Sequence, residues 1–311
     1  MGTVKAICVS GERGVQKHPV EKACFTPEWG IVGDAHGGNW HRQVSLLGDE
    51  KIQAFREKGA QVDYGAFGEN LVVEGFDFRS LPVGTLLRCG PVLLEITQIG
   101  KECHSHCEIY KAMGDCIMPR EGVFARVLEG GEIQVGDEMQ LAERIGVRPF
   151  QAAVITLSDK GAMGQRRDES GPAIVKRLEE QGYQVVETLL LADEQAVLQK
   201  QLIRLCDQRQ LDLILTTGGT GFAPRDVTPE ATMAVAHRNA PGIAEAIRAA
   251  SMRITPRAML SRGVSVIRGK TLIVNLPGSP KAVQESMDVF LDVIPHALTL
   301  LRGEGGECAR K

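Results

Sequence analysis

The pattern of apolar and polar positions divides the chain into two regions with different periodicity. In residues 1–146, short apolar runs alternate with Gly and Pro, as in residues 86–89 and 92–97 on either side of Gly90-Pro91. Short runs bounded by turn residues are typical of β-strands, and one amphipathic stretch, about residues 49–58, predicts a helix. The first region is therefore predicted to be a mostly β barrel or sandwich with helical insertions.

Residues 150–304 alternate between strand-like and helix-like segments. The strand-like segments are residues 152–157, 184–191, 211–215 and 271–276, and the helix-like ones are residues 171–182, 196–209 and the stretches that begin near 228, 242 and 280. This alternation predicts a three-layer α/β domain with a mainly parallel sheet and helices on both faces. Pro295 should kink the last helix. The domain boundary is expected in the turn at residues 146–149, which contains a Gly and a Pro.

A Gly-rich stretch, TTGGTGFAPRDVTPE at residues 216–230, follows one of the predicted strands. A helix should begin after it, with Thr228 as the cap and Pro229 in the first turn. A strand, a Gly-rich loop and a helix in this order present backbone N–H groups to a phosphate, and Asp226 adds a carboxylate suited to Mg²⁺. The alternative is a tight turn that binds nothing. The stretch matches neither the Walker A loop nor the Rossmann fingerprint.

Charge and composition narrow the class of protein. The formal net charge is −3 and no long run has one sign, which argues against a nucleic-acid or membrane-surface partner. No segment is apolar enough to span a bilayer, and the N-terminus does not read as a signal peptide. We therefore expect a cytoplasmic protein whose eight cysteines are thiols. Cys8, Cys89 and Cys206 lie in apolar runs and should belong to the core.

The second region contains five short motifs. They are TLSD at residues 156–159, DESGP at 168–172, the Gly-rich stretch at 216–232, MLSR at 259–262 and NLPGSPKA at 275–282. Together they resemble the molybdopterin adenylyltransferase family (MogA/MoaB-like proteins), over nearly the whole region. The resemblance implies a homotrimer that transfers AMP from Mg-ATP to the terminal phosphate of molybdopterin and releases pyrophosphate.

The first region carries a second set of motifs. They are GDAH at residues 33–36, FGENL at 67–71, QIGKECH at 98–104 and GD at 136–137. In this order and spacing they resemble MOSC domains, the β-rich modules named after the C-terminal part of molybdenum cofactor sulfurase. The resemblance implies binding of molybdenum cofactor or transfer of sulfur on a cysteine. The chain is thus expected to join a MOSC-like domain at residues 1–146 to an adenylyltransferase domain at residues 150–304.

The motifs supply the candidate site residues of the second region. Asp226 and Asp193 are the candidates for catalysis and for binding Mg²⁺, because both follow predicted strands at the same edge of the sheet. The candidates for binding nucleotide and pterin are Ser158, Asp159, Asp168, Thr217, Gly218, Gly219, Thr220, Gly221, Arg225, Ser261, Arg262, Asn275, Pro277, Gly278, Ser279 and Lys281. Each Asp has an alternative role as a helix cap or a solvated turn residue, above all Asp168. Ser279 is also a predicted cap, and the helix start with Lys281 suits the phosphate of the pterin.

Cys103 is the candidate thiol of the MOSC-like region. Lys101, His104 and His106 would favour its thiolate, which predicts faster alkylation than at Cys8 or Cys89. The cluster with Cys107 also permits zinc, and an inert buried cysteine is a third interpretation.

Three functions are compatible with these patterns. The first is Mg-ATP-dependent adenylylation of molybdopterin, with a MOSC domain for cofactor binding or sulfur transfer. The second is a non-catalytic protein that binds or carries molybdopterin or molybdenum cofactor, and the third is a sulfur-transferring MOSC enzyme. In each case a molybdenum-insertion enzyme or a molybdoenzyme is the expected partner.

Overall fold

The computed structural model of the chain describes residues 1–102 and 108–304. The chain folds as two compact units, unit 1 at Met1–Arg148 and unit 2 at Pro149–Lys311. Each large apolar cluster among the described residues draws on one unit alone. In this part of the chain, no helix combines the length and the apolar character needed to cross a membrane.

Unit 1 is built from eleven described strands. They are β1 Gly2–Val9, β2 His18–Val20, β3 Lys22–Thr26, β4 Gly30–Ile31, β5 Val44–Gly48, β6 Leu71–Glu74, β7 Leu86–Cys89, β8 Val92–Ile99, β9 Val123–Glu129, β10 Gly131–Gln134 and β11 Glu138–Ala142. Seven of them close a barrel in the order β1-β6-β5-β9-β8-β7-β11, and β11 pairs again with β1. Strand β2 extends the barrel from β1, and β10-β3-β4 form a separate sheet. The predicted β barrel is confirmed.

Both faces of the barrel wall are apolar on one side of unit 1. On β5, Leu46 belongs to the cluster that fills the barrel, whereas its neighbour Leu47 belongs to a second cluster outside it. The second cluster includes Ile52 and Phe55 of helix α1. The helices of unit 1 are α1 Asp49–Glu57, α2 Glu108–Met113 and α3 Met118–Glu121. Adjacent strand residues point to opposite faces, so a covered strand needs apolar side chains at successive positions.

Unit 2 is a three-layer α/β domain. Its strands are β12 Gln151–Leu157, β13 Gln184–Leu191, β14 Leu213–Thr217, β15 Arg238–Asn239, β16 Ser265–Arg268 and β17 Thr271–Leu276. Its helices are α4 Asp159–Ala162, α5 Ser170–Glu180, α6 Gln195–Ile203, α7 Thr228–Ala234, α8 Pro241–Met252, α9 Pro280–Phe290 and α10 Ile294–Arg302. The sheet order is β13-β12-β14-β17-β16-β15. Strands β13, β12, β14 and β17 are parallel to one another, β16 pairs antiparallel with β17, and β15 pairs antiparallel with β16.

Helices cover both faces of this sheet, as predicted. Leu213 and Leu215 of β14 pack in the cluster that contains residues of α5 and α9. Ile214, between them, packs in the opposite cluster with residues of α6 and α7. Because both faces are buried, β14 reads as a continuous apolar run rather than an alternating one. Its carboxyl end at Thr217 leads directly into the Gly-rich loop.

Three local predictions for unit 2 were wrong in detail. The strand expected at residues 211–215 lies at Leu213–Thr217. Pro295 does not kink a continuous helix: α9 ends at Phe290 and a new helix, α10, begins at Ile294 with Pro295 in its first turn, where its missing N–H costs nothing. Thr228 does not cap α7. It is the first residue of that helix, and its hydroxyl donates instead to the Gly218 carbonyl oxygen at 2.9 Å.

The start of unit 2 and the end of its last described helix meet at one residue. Arg302, the last residue of α10, donates through Nε and Nη2 to the carboxylate of Asp212 at 2.7 and 2.8 Å. Its Nη2 also donates to the Pro149 carbonyl oxygen at 2.9 Å, and the guanidinium lies 4.3 Å from the ring centroid of Phe150. This paired, stacked arginine fastens the start of the unit and the end of α10 to the edge of the sheet where β12 and β14 start.

Candidate active site

A cleft of about 690 Å³ opens at the carboxyl ends of the parallel strands of unit 2. In an open α/β sheet this edge is where ligands bind, because loops and helix N-termini converge there. The cleft is lined by Thr156, Leu157, Ser158, Gly161, Arg166, Arg167, Asp168, Glu169, Ser170, Leu190, Asp193, Thr217, Gly218, Gly219, Asp226, Gly278, Ser279 and Pro280. Four loops contribute to it, those after β12, β13, β14 and β17.

Gly218 and Gly219 form the part of the Gly-rich loop that reaches the cleft. Both have left-handed backbone conformations, with φ of 95° and 61°. A Cβ on Gly218 would lie 2.3 Å from the Leu157 carbonyl oxygen, and one on Gly219 would lie 2.5 Å from Thr228 Oγ1. Any larger residue would therefore be strained at either position, and at Gly218 it would also push the loop away from β12.

Two threonines hold this loop in position. Thr217, which is fully buried, donates from Oγ1 to the Pro277 carbonyl oxygen at 2.6 Å. Thr228 donates to the Gly218 carbonyl oxygen, so each end of the turn is tied to a neighbouring element. A side chain at Gly278 would approach Gly218 Cα at 3.4 Å, which shows how closely the loops after β14 and β17 pass.

Asp159 and Asp193 connect the loops after β12 and β13 through reciprocal hydrogen bonds. The Asp159 N–H donates to Asp193 Oδ2 at 2.9 Å, and the Asp193 N–H donates to Asp159 Oδ1 at 3.0 Å. Arg225 of the Gly-rich loop donates to both carboxylate oxygens of Asp159, at 3.0 and 2.8 Å, and pairs with Glu194 at 2.9 Å. The pKa of Asp159 is lowered mainly by these Arg225 hydrogen bonds. Arg225 thus neutralises Asp159 and joins three loops.

Asp193 and Asp226 have a different electrostatic environment. Burial raises the pKa of Asp193, and the negative charges of Asp159 and Asp226 raise it further. Asp226 Oδ2 accepts from the Ala223 N–H at 2.8 Å. Within residues 1–102 and 108–304, Asp193 Oδ1 and Asp226 Oδ1 accept no hydrogen bond. Two carboxylates of like charge therefore each present an unused oxygen at one cleft, which a cation would stabilise.

Helix starts account for several of the other polar residues in the wall. Asp168 Oδ1 accepts from the N–H groups of Ser170 and Gly171 at 3.1 and 3.0 Å, so it takes the capping role named as its alternative while still lining the cleft. Ser158 caps α4 by accepting from the Gly161 N–H at 3.0 Å. Ser279 caps α9, as predicted, by accepting from the Ala282 N–H at 3.2 Å.

The structure brings half of the predicted residues to the cleft. The ones that line it are Ser158, Asp168, Asp193, Thr217, Gly218, Gly219, Asp226, Gly278 and Ser279. The ones outside its wall are Asp159, Thr220, Gly221, Arg225, Ser261, Arg262, Asn275, Pro277 and Lys281. Most of the second group support the loops: Arg262, for example, donates to the carbonyl oxygens of Gly221 and Asp226 at 2.6 and 2.5 Å.

Asn275 and Lys281 show why motif membership alone does not define a ligand contact. Asn275 is 3% exposed, and its Nδ2 donates to the hydroxyls of Thr216 and Thr232 at 2.9 and 3.0 Å. It therefore links β17 to β14 and α7 beneath the cleft. Lys281 is 84% exposed at its side chain and its closest acidic partner is Glu285, at 3.9 Å one turn along α9.

Five polar residues of the cleft were missed in the sequence: Thr156, Arg166, Arg167, Glu169 and Ser170. Ser170 donates to the Gly278 carbonyl oxygen at 2.9 Å and so links the start of α5 to the loop after β17. Its position inside the DESGP motif was an available signal. Two consecutive arginines directly before that motif were a further signal, since adjacent cationic residues beside a Gly-rich site suit a phosphate.

In unit 1, the GDAH and FGENL motifs meet in a buried polar network. Asp34, whose side chain is fully buried, accepts from Lys17 Nζ at 2.7 Å, Asn70 Nδ2 at 3.0 Å and the Ser10 N–H at 3.3 Å. Its other oxygen accepts from the His36 N–H at 2.9 Å. Burial alone would raise the pKa of Asp34, but hydrogen bonds from His36 and Lys17 outweigh it and lower that pKa. The network therefore stabilises the fold of unit 1 and is not an open site.

The predictions for the cysteines have two outcomes. Cys8, Cys89 and Cys206 are buried, and burial raises the pKa of each thiol to about 12, so the predicted core role is confirmed. Cys103 and the zinc alternative with His104, His106 and Cys107 lie outside the described residues. In the parts of the chain that are described, no group of three or more His, Cys, Asp or Glu side chains is arranged to hold a metal ion.

Comparisons with known proteins match both units. The profile described as "Probable molybdopterin binding domain" matches residues 153–296, and that of the MOSC domain matches residues 33–140. A molybdopterin adenylyltransferase of Helicobacter pylori (strain ATCC 700392 / 26695) is 42% identical over 159 residues, which cover 50% of this chain and 90% of that protein. The molybdopterin adenylyltransferase of Escherichia coli (strain K12) is 39% identical and covers 51% of this chain and 89% of its own length. A crystal structure of the molybdopterin biosynthesis enzyme MoaB from Thermus thermophilus is 47% identical, covers 51% of this chain and 99% of its own, and aligns with a TM-score of 0.48.

Proposed function

Since the chain belongs to the molybdopterin adenylyltransferase family, we propose that unit 2 transfers AMP from Mg-ATP to the terminal phosphate of molybdopterin. A phosphate oxygen of molybdopterin attacks the α-phosphorus of ATP, the bond to the β-phosphate oxygen breaks, and pyrophosphate leaves. The protein is an enzyme of molybdenum cofactor biosynthesis, and the predicted fusion of such a unit with a MOSC domain is confirmed.

The observation that carries this proposal is the pair of carboxylates at the Gly-rich loop. Asp193 and Asp226 each have one oxygen without a hydrogen bond within the described residues, and both line the cleft. Mg²⁺ binds through one or two carboxylates and completes its shell with phosphate and water oxygens, so this donor set fits the ion. When bound, Mg²⁺ would neutralise charge on the phosphates of the nucleotide.

The side chains of unit 2 contribute by positioning rather than by forming a covalent bond. Gly218 and Gly219 let the backbone approach a phosphate closely, and Thr217 and Thr228 keep that backbone fixed. Arg225 holds Asp159 in an ion pair, so Asp193 and Asp226 are left to bind the cation. Fixed groups that match the transition state need no reorganisation during the reaction, which is the main source of rate in such a transfer.

Pyrophosphate release tests the proposal directly. With molybdopterin, ATP and Mg²⁺, the full chain should release pyrophosphate and form adenylyl-molybdopterin, and removal of Mg²⁺ with EDTA should stop both. Tight binding of molybdopterin without any pyrophosphate release would contradict the proposal and would support the non-catalytic binding or carrier alternative.

We further propose that unit 2 assembles as a homotrimer, as the family resemblance implies. Light scattering of the full chain should give a mass close to three times 33.7 kDa. A monomer at micromolar concentration would contradict this.

For unit 1, we propose that the MOSC domain binds molybdenum cofactor or carries sulfur for a molybdenum-insertion enzyme or a molybdoenzyme. Cys103→Ser should abolish cofactor or sulfur binding by this unit and leave adenylylation unchanged. A variant that keeps full binding would remove Cys103 from the role.

A further inference from the structure

The cleft of unit 2 presents carboxylates from two of its loops and a pair of arginines from a third. Asp193 and Asp226 lie on the side formed by the loops after β13 and β14. Arg166 and Arg167 lie in the loop between α4 and α5 and line the same cleft. The reaction proposed above brings two phosphate-bearing substrates together, and only the nucleotide needs to arrive with a metal ion. A pair of arginines on one loop and a pair of carboxylates on two others can each hold a different phosphate-bearing substrate.

The loop that carries the two arginines is fixed at its base. Arg166 donates from Nη2 to Ser158 Oγ at 3.0 Å, and its backbone N–H donates to the Lys160 carbonyl oxygen at 3.2 Å. The Gln165 N–H donates to the same carbonyl oxygen at 2.8 Å. These bonds wrap the loop back onto α4, so Arg166 is held beside the cap of that helix.

Arg167 is the cationic group left for a ligand. Its side chain is exposed, and no hydrogen bond or ion pair to it occurs within residues 1–102 and 108–304. The adjacent carboxylate of Asp168 already accepts two backbone N–H groups at the start of α5. Glu169 also lines the cleft and is exposed. Its charge opposes an anion there but can turn to solvent, whereas Arg166 is anchored by Ser158.

We propose that Arg166 and Arg167 bind the phosphate monoester of molybdopterin, the group that attacks ATP; this inference rests on the adenylyl transfer proposed above. Guanidinium groups bind phosphate oxygens in pairs and need no metal ion to do so. The carboxylates of Asp193 and Asp226 repel a phosphate unless a cation lies between them, so the Mg-bound triphosphate lies at these carboxylates. Lys281, the cation that the sequence suggested for the pterin phosphate, lies outside the cleft wall.

The test compares Arg167→Gln and Arg166→Gln with Arg253→Gln, a control that removes an exposed arginine outside the cleft. The KM for molybdopterin should rise about 10- to 100-fold in the two cleft variants, the range expected for losing a charged hydrogen bond, and the KM for ATP should stay within about threefold. Inorganic phosphate should inhibit the wild type in competition with molybdopterin but not with ATP, and Arg167→Gln should weaken that inhibition. The control should behave as the wild type.

Direct binding separates failure of this inference from failure of the proposed reaction. Molybdopterin binding to the full chain without ATP, followed by pterin fluorescence, should weaken in Arg167→Gln by the same factor as the KM rises. If the wild type binds molybdopterin but releases no pyrophosphate, the proposed reaction fails while the binding comparison still decides the role of the arginines. Unchanged binding in both variants, or a rise in the KM for ATP alone, would overturn the inference.

Discussion

The buried carboxylate of unit 1 and the cleft carboxylates of unit 2 differ in how fully they are satisfied. Asp34 of unit 1 has four donors and a fully buried ion pair with Lys17. Among the described residues, Asp193 and Asp226 of unit 2 each keep an oxygen that accepts no hydrogen bond, and the two carboxylates repel each other. A carboxylate whose bonds are all internal stabilises its fold. One that is left incomplete at an open edge indicates a ligand.

The largest expected effect is a loss of stability when the buried ion pair of unit 1 is broken. Lys17→Met leaves the Asp34 charge buried without its partner and should lower the free energy of unfolding of unit 1 by about 3–5 kcal/mol. Both tryptophans, Trp29 and Trp40, belong to unit 1, so tryptophan fluorescence during denaturation in urea reports this unit alone.

A matched control removes an exposed lysine from an ion pair of the same unit. Lys5 pairs with Glu74 at 3.3 Å and both side chains are well exposed, so Lys5→Met should cost less than about 1 kcal/mol. If Lys17→Met is too unstable to purify, the double variant with Asp34→Asn should recover part of the loss, because it removes the unpaired charge. Equal costs for the two lysines would contradict the structural role of the network.

Asp226→Asn tests whether a cleft carboxylate of unit 2 acts in catalysis rather than in stability. The amide oxygen can still accept from the Ala223 N–H, so the fold should be kept, while adenylylation should fall about 10²-fold or more, the scale for losing one electrostatic partner of a transition state. Thermal unfolding checks that the fold is kept, and steady-state pyrophosphate release measures the loss of adenylylation. Asp292→Asn, an exposed carboxylate outside the cleft, is the control. Near-normal turnover in Asp226→Asn would remove this residue from the mechanism.

Asp193→Asn should change stability less than Lys17→Met does, and it should increase the stability of unit 2 instead of lowering it. The pKa of Asp193 is raised in the folded state, so its ionised form is less favourable there than in the unfolded chain. This destabilisation is full above the folded-state pKa and vanishes below the unfolded value of about 4. Without Mg²⁺, the variant should therefore be more stable than the wild type at pH 7, and the difference should disappear near pH 4. Thermal unfolding of unit 2 across this range, followed by circular dichroism, measures it. Added Mg²⁺ should stabilise the wild type only, and a variant less stable than the wild type at pH 7 would contradict the assignment.

The smallest expected effect sharpens the separation of the two units. A fragment that begins near Val147 should fold and adenylylate as the full chain does, because the described apolar clusters of unit 2 include no residue of unit 1. Limited proteolysis should cut first near residues 146–149. A fragment that does not fold would mean that the units depend on each other, and the predicted domain division would then be wrong.

The sequence was sufficient to predict the architecture of unit 2 because its central strands, β12, β14 and β17, are buried on both faces. Residues 184–191 and 271–276 were predicted as strands at the bounds that the structure has. Continuous apolar runs of strand length between amphipathic helices are typical of a parallel sheet and of few alternative folds. The Gly-rich loop was equally accessible, since Gly218 and Gly219 take φ values that other residues avoid.

Side-chain roles at the site were harder to predict. Asn275 and Arg262 belong to the motifs because they hold loops and strands together, and a motif does not distinguish support from ligand contact. Arg167 lies in a loop without periodicity, so only the three-dimensional path of that loop brings it to the cleft. Lys17 of unit 1 had no motif signal at all, because its partner Asp34 is 17 positions away.

Arg302 has a consequence for how unit 2 can be rearranged as a module. Through this one side chain α10 contacts Pro149 and Phe150, so the start of the unit and the end of its last described helix lie side by side. Proteins whose ends meet in this way accept circular permutation and insertion into other proteins. A short linker could join residue 304 to residue 149, and new termini could be opened in the exposed turn at Gly182 without cutting a loop of the cleft. The same property makes this unit an easy piece for gene fusion, since a neighbour can be attached at the edge where the strands start.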